Sequence, residues 1–332
     1  MPYPVLDVLS SLIKNLDQHP IVILQAPPGA GKSTVLPLEL LNVPYLKNSK
    51  IILLEPRRLA ARSVAARMAS LLKEEVGQTI GYRVRFETVV SAQTRIEVVT
   101  EGILTRMIQS DNSLEGVGLV IFDEFHERSL QADLALALCY QSQQVLRDDL
   151  KLLIMSATLA SEKISTLLGN APIITSIGKQ FSVTIHYHTV DKQDSVPNGQ
   201  AGIAIATTRT IRKALREQTG DLLVFLPGTG EIRKVMEALN DVESSLVVQP
   251  LYGDLPLKEQ QQAILPHPQG LRKVVLATSI AETSLTIEGI TTVIDSGYSR
   301  VARFDPRSGM PKLETIRVTR DVADQRAGRA GR

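Results

Sequence analysis

The stretch Ala26-Pro27-Pro28-Gly29-Ala30-Gly31-Lys32-Ser33-Thr34 has the residue types and order that hold phosphate groups. Gly29 and Gly31 permit positive φ and let backbone N–H groups close on phosphate oxygens. Lys32 supplies a mobile point charge for the β- and γ-phosphates, and the Ser33 hydroxyl suits Mg²⁺. The helix that should begin near Thr34 adds the partial positive charge of its N-terminus. Ala26 stands where such loops usually have their first Gly. A Gly-rich turn that binds nothing is the bland alternative. The apolar run Ile21-Val22-Ile23-Leu24 before the loop and the helix-like stretch 35–41 after it favour nucleotide binding.

A second set of residues could do the hydrolytic chemistry. Val120-Ile121-Phe122 is an apolar run that ends in Asp123 and Glu124. At the C-terminal end of a strand, two carboxylates face the crevice where α/β proteins bind ligands. Asp123 suits Mg²⁺ held through water, and Glu124 suits orienting and deprotonating an attacking water. Alone the pair is weak, because acidic helix caps are common at such positions. About 90 residues after a phosphate loop, in the same expected sheet, it becomes a strong signal. His126 lacks a second His or Cys at ligand spacing, so a polar link to another segment fits it better than a metal.

These residues need rigid elements to position them. Ile21–Leu24, Ile51–Leu54, Ile96–Val99, Leu119–Phe122 and Leu152–Met155 read as buried strands of a parallel sheet. Leu59–Leu72 and Leu130–Leu146 have helical spacing between them. A second series follows, with strands at Leu222–Leu226, Leu246–Val248, Val274–Ala277 and Thr292–Ile294, and helices around Ile232–Leu239 and Leu257–Leu265. Strand–helix alternation occurring twice predicts two α/β domains, 1–178 and 179–332. Phe181–His188 alternates like a strand leading into the second, and Val301–Val318 reads as a hairpin turning at Pro306-Arg307-Ser308-Gly309.

Composition narrows the class. In 332 residues, 43% are hydrophobic and 22% charged, which excludes disordered, collagen-like and coiled-coil chains. The single cysteine, Cys139, excludes an internal disulfide and a cysteine-based zinc site. No apolar run approaches a membrane span and no secretory signal is visible, which points to the cytoplasm. The net charge of +2 demands no polyanionic partner, yet residues 299–332 hold nine Arg or Lys against four acids. Alone, that end reads as a solvated tail.

With these segments in place, the chain resembles the DEAH/RHA branch of the superfamily 2 helicases over nearly its whole length. The phosphate loop corresponds to motif I, Glu55–Arg62 to Ia, Gly81–Glu87 to the hook-turn, Thr100–Leu104 to Ib, Asp123–His126 to II and Ser156–Thr158 to III. In the second series Phe225–Gly228 resembles motif IV, Ala277–Ile287 motif V and Gln325–Arg332 motif VI. Phe125 departs from the usual Ala of motif II and Ser279 from the usual Asn of motif V.

The resemblance implies two tandem RecA-like domains that hydrolyse Mg-ATP between them. Pro28, Gly29, Ala30, Gly31, Lys32, Ser33 and Thr34 would hold the nucleotide, and Ser33 and Asp123 the Mg²⁺. Glu124 would be the base, Gln325 would contact the γ-phosphate or the water, and Arg329 and Arg332 would be arginine fingers. His126, Ser156 and Thr158 would couple the nucleotide site to nucleic acid. Arg57, Thr100, Arg85 and Thr278 would contact phosphates of single-stranded or partly duplex RNA, with DNA as an alternative. Phosphate contacts carry no base code, and 4% aromatics with no Trp argue against extensive stacking. The hairpin would either help separate strands or be an ordinary edge. Family members continue past motif VI with further domains, so the chain is expected to be the amino-terminal part of a longer protein. The alternative reading is a nucleic-acid-binding regulatory module without turnover. A P-loop GTPase is disfavoured by the lack of an Asn-Lys-x-Asp motif.

Overall fold

The computed structural model describes residues 3–27, 29–157, 161–177, 182–187, 200–240, 246–282 and 287–330. The chain divides into two compact units, Met1–Lys179 and Gln180–Arg332.

The first unit contains α1 (Leu9–Gln18), β1 (Ile21–Gln25), α2 (Val35–Leu40), β2 (Lys50–Glu55), α3 (Arg58–Leu72), β3 (Ile80–Val84), β4 (Glu87–Val89), β5 (Ile96–Thr100), α4 (Glu101–Ser110), β6 (Val117–Phe122), α5 (Leu130–Val145), β7 (Lys151–Ser156), α6 (Ser161–Leu167) and β8 (Ile173–Thr175). Its eight strands run in the order β4-β3-β5-β2-β6-β7-β1-β8. All pairings are parallel except β3 with β4.

Unbroken apolar runs form the central strands because both faces of the sheet are covered. Successive side chains point to opposite faces, so each strand serves two cores. Val22, Leu24, Ile51, Leu53, Leu119 and Ile121 pack with Leu12, Leu36 and Met68 of α1, α2 and α3. Ile21, Ile23, Ile52, Leu54, Val120 and Phe122 pack with Leu104, Ala135 and Ile164 of α4, α5 and α6. Burying one such aliphatic side chain fully contributes about 1.5–3 kcal/mol, which makes this sheet a stiff platform. Helix ends are set locally: the Ser129 hydroxyl accepts from the Ala132 N–H at 2.9 Å and starts α5. Lys73, at φ 58°, stops α3 in the left-handed region.

The second unit contains α7 (Gln200–Glu217), β9 (Asp221–Phe225), α8 (Thr229–Ala238), β10 (Leu246–Leu251), α9 (Leu257–Ile264), β11 (Arg272–Ala277), β12 (Ile290–Asp295), β13 (Tyr298–Asp305), β14 (Met310–Arg317) and α10 (Arg320–Ala327). Four parallel strands run β10-β11-β9-β12. Leu222, Val224, Val274 and Leu276 pack on Ile211 of α7 and on Ile232 and Val235 of α8. The expected hairpin is present but longer, starting at Tyr298 and pairing through Asp305↔Met310. Arg300, near its base, bonds the buried Glu231 of α8 at 3.2 Å.

One expected strand is absent. Residues 182–187 are exposed and form no strand, while Phe181 and His188 lie outside the described residues. The alternation of Val183, Ile185 and Tyr187 supplies one apolar face. A strand also needs a neighbouring ladder, and none is found for it among the described residues.

Candidate functional site

Parallel strands end on one rim of the first sheet, and strand order decides which motifs meet there. β6, β7 and β1 are neighbours, with Phe122 beside Ile154 and Ser156 beside Gln25. The loop after β1, the end of β7 and the acidic pair after β6 are therefore adjacent. The Ala26 N–H donates to the Ser156 carbonyl at 3.0 Å, which ties the phosphate loop to the end of β7.

Gly29 and Gly31 have φ of 80° and 88°, so both need the freedom that only glycine has at low cost. The Val35 and Leu36 N–H groups donate to the Gly31 carbonyl at 2.9 and 3.1 Å, which opens α2 directly behind Lys32, Ser33 and Thr34. Thr34 is the residue preceding the helix. Pro28 lies outside the described residues.

Lys32 is 3% exposed and its Nζ lies 3.0 Å from Glu124 Oε1. Burial alone would lower the ammonium's pKa. The charges of Glu124, Asp123 and Glu55 outweigh it, and the value is raised. Asp123 is also buried. Burial raises its pKa, opposed by Lys32 and helped by the neighbouring Glu124, with the Ser33 hydroxyl and Glu55 hydrogen-bonding beside it. Three buried carboxyls, Glu55, Asp123 and Glu124, thus share one buried cation. Glu55 at the end of β2 was not among the sequence candidates as a site residue. The logic that picks out Asp123, a carboxylate ending an apolar strand, applies to it equally.

Glu124 itself has φ 48°, uncommon for a residue with a side chain. Its second oxygen lies 3.4 Å from His126 Nδ1. The same nitrogen accepts the Ala157 N–H at 3.3 Å. His126 thereby joins the acidic loop to the segment after Ser156, which is itself buried. Thr158 lies outside the described residues.

The other half of the rim, at the ends of β2, β5 and β3, holds Arg57, Thr100 and Arg85. Glu55 pairs with Thr100, so Arg57 and Thr100 leave neighbouring strands side by side. Arg57 bonds Glu127 Oε2 at 3.3 Å. Sequence reasoning missed Glu127, which follows the acidic motif directly. Arg85 is exposed in the β3–β4 turn, its guanidinium 4.7 Å from the Phe86 ring centre. A cavity of about 220 Å³ lies between the two halves, lined by Leu54, Arg57, Glu101, Asp123, Glu127 and Ser129 among others.

In the second unit, Thr278 directly follows β11 and its N–H donates to the Leu251 carbonyl at 3.1 Å. Gln325 is half-buried on α10. Arg329 is buried and donates to the Glu282 carbonyl. Arg332 lies outside the described residues. Arg326, which the sequence places in motif VI without a role of its own, is the deepest of these, with no exposed surface. It bonds Glu282 at 2.6 and 3.0 Å and the Tyr298 carbonyl at 3.3 Å, pairs with Asp295, and lies 4.8 Å over the Phe225 ring.

A parallel sheet with a phosphate loop after one strand and an acidic pair after a near neighbour is the P-loop, RecA-like arrangement. The family of DEAD/DEAH box helicases matches residues 8–167, and the helicase conserved C-terminal domain matches residues 206–332. Residues 8–167 thus belong with the DEAD/DEAH box helicases, and residues 206–332 with the helicase conserved C-terminal domain. It is 57% identical over 330 residues to the ATP-dependent RNA helicase HrpB of Escherichia coli, and 34% identical over 332 residues to the ATP-dependent RNA helicase HrpA of Borreliella burgdorferi. Each alignment takes in 99% of this chain and 40% of the relative, so the chain spans about two fifths of their length. The crystal structure of the E. coli DEAH/RHA helicase HrpB superposes with a TM-score of 0.89 at 57% identity, over 99% of this chain and 41% of that one. The fold is accordingly two tandem RecA-like domains. Among the described residues no helix is long and apolar enough to cross a membrane.

Proposed function

We propose that the chain is the ATP-hydrolysing core of a cytoplasmic RNA helicase, with domains 1–178 and 179–332, that couples turnover to movement along a single strand. The observation that carries this reading is the buried set of Lys32, Asp123 and Glu124, with the Ser33 hydroxyl beside Asp123, at a two-glycine phosphate loop. Gly29 to Thr34, with Pro28, wrap the phosphates, and Lys32 bears on the β- and γ-phosphates. Glu124 takes the proton of the attacking water.

Magnesium fits the site: Asp123 Oδ2 is buried without a hydrogen-bond partner, and the Ser33 hydroxyl stands beside the same carboxyl. Among the described residues no cluster of three or more His, Cys, Asp or Glu could cage a metal. One carboxylate plus substrate phosphates is the usual arrangement for this ion, which there neutralises phosphate charge. Gln325, Arg329 and Arg332 act on the γ-phosphate, by resemblance to the family. His126, Ser156 and Thr158 carry the nucleotide state towards Arg57, Thr100, Arg85 and Thr278, which hold the strand by its phosphates. The similar proteins HrpB and HrpA are RNA helicases, which supports RNA over DNA.

The test is phosphate release with Mg-ATP, measured with and without single-stranded RNA and DNA, on the parent and on Lys32→Ala. The parent should be stimulated more by RNA, and Lys32→Ala should fail to bind Mg-ATP. Equal nucleotide affinity in the two proteins would remove the phosphate-loop reading.

A further inference from the structure

The segment ahead of α1 belongs to none of the helicase motifs, yet it touches the phosphate loop. Pro4–Val8 form a single 3₁₀ turn preceded by Tyr3. The Val5 N–H donates to the Ala30 carbonyl at 3.1 Å. A Cβ built on Gly31 would stand 2.9 Å from both Cβ and Cδ1 of Tyr3, so the tyrosine side chain lies flush against that glycine. The segment is fastened on its other side. The buried Ser176 donates from its hydroxyl to the Pro4 carbonyl at 3.0 Å and from its N–H to the Gln25 carbonyl at 2.8 Å. Val5 is fully buried in the core that also holds Ala26 and Ala30, and Tyr3 packs against the same core.

The geometry of the peptide gives these contacts a consequence. In a trans peptide the carbonyl and the following N–H point in opposite directions. With the Ala30 carbonyl held on Val5, the Gly31 N–H is turned the other way. The Gly31 carbonyl is held in turn by the Val35 and Leu36 N–H groups of α2. The Lys32 N–H is therefore directed out of the helix N-terminus, where anions bind. Two consecutive N–H groups are aimed by contacts made behind them. Tyr3 stands against Gly31 on the side where a side chain would project, and so backs the Ala30–Gly31 peptide that Val5 holds.

We propose that Tyr3 and the Val5 backbone are positioning elements for the phosphate loop, acting on nucleotide affinity by fixing the Ala30–Gly31 peptide. This rests on the nucleotide-binding reading above. The two also explain Gly31 jointly: its φ of 88° favours glycine, and the tyrosine leaves no room for a methyl group.

The test is calorimetric titration with Mg-ADP of the parent, Lys32→Ala, Tyr3→Ala, Tyr3→Phe and Leu6→Ala, with thermal melting of each. Leu6 lies on the same turn and packs on the same core, and it is Tyr3 that stands against Gly31. Losing one well-aimed donor to a charged group should weaken Mg-ADP about tenfold in Tyr3→Ala. Tyr3→Phe, which keeps the ring, should bind as the parent does. Leu6→Ala should melt earlier with parental affinity. In phosphate release, Tyr3→Ala should raise KM more than it lowers kcat, the mark of lost ground-state binding. Should Tyr3→Ala fail to fold, Tyr3→Leu keeps apolar bulk without a flat ring and should bind at least about threefold more weakly. Parental affinity in whichever of the two folds, alongside lost binding in Lys32→Ala, overturns the positioning role alone. Absence of Mg-ADP binding in the parent overturns that role and the nucleotide reading together.

Discussion

The charged clusters of the two units treat buried charge in opposite ways. Around Lys32, three buried carboxyls face one cation, and Asp123 keeps an oxygen without a hydrogen-bond partner. Around Arg326, one guanidinium is matched by Glu282, Asp295, the Tyr298 carbonyl and the Phe225 ring. The first cluster carries excess negative charge in a place where desolvation is costly, a standing penalty that phosphate-bound magnesium can relieve. The second is closed, and it ties α10 to β12 and to the segment after β11. Buried charge therefore marks a functional centre where a carboxylate oxygen is left without a hydrogen-bond partner, and a structural clamp where the bonds around the ion are filled.

The largest effect expected from this contrast is at Glu124. Glu124→Gln should lower ATP turnover by about 10²–10⁴-fold, the usual contribution of a general base. Because it removes one of the crowded negative charges, its melting temperature should equal or exceed that of the parent. A variant that turns over normally would end the assignment of Glu124 as the base. One that melts much earlier would show that this cluster is a clamp after all.

Arg326→Met should do the reverse. Removing one partner of a buried ion pair leaves Glu282 beneath the surface without its cation, a loss of about 3–5 kcal/mol. Denaturant unfolding should show this as a lower midpoint of the second unit's transition, whatever happens to turnover. An unchanged midpoint would mean that Glu282 finds water when the arginine leaves, and the two clusters would then differ less than their geometry suggests.

These contrasts bear on what a chain reveals before it is folded. The phosphate loop and the acidic pair are legible because their chemistry needs particular residue types at fixed spacing. The central strands are legible because burial on both faces demands unbroken apolar runs. β3, β4 and β8 are short strands at or near the sheet edges, where pairing depends on neighbours far along the chain, and no apolar run predicts a strand at any of them. The same dependence misled at 182–187, where alternation without a partner gave no strand. Arg326 was hidden for a different reason. An arginine in an Arg-rich end looks like a solvated or catalytic one, and only the fold shows Glu282 and Asp295 meeting it. Glu55 and Tyr3 likewise matter through what lies beside them in space.

A third charged cluster gives the smallest and most specific test, because it is closed but only partly shielded. Glu97, buried on β5, accepts from Lys50 of β2 at 2.7 Å and from Arg83 of β3 at 2.6 Å, joining the three adjacent strands that lead to Arg57, Thr100 and Arg85. Burial would raise its pKa, but the hydrogen bonds and charges of Arg83 and Lys50 prevail and hold it below the ordinary 4.5. A carboxyl with a depressed folded value contributes stability that is present above the unfolded pKa and is lost as pH falls through the folded one. Lys50 and Arg83 are more than a third exposed at their side chains, so water can take over their solvation when the carboxylate goes. Glu97→Gln should therefore cost about 1–2 kcal/mol at neutral pH, less than the fully buried arginine. The gap between parent and variant should stay level down to about pH 4.5 and close below it. Urea unfolding at a series of pH values reads this directly. A gap that persists at low pH would mean that Glu97 contributes through packing rather than charge. The comparison would then reduce to two clusters, one open at the phosphate loop and one closed around Arg326.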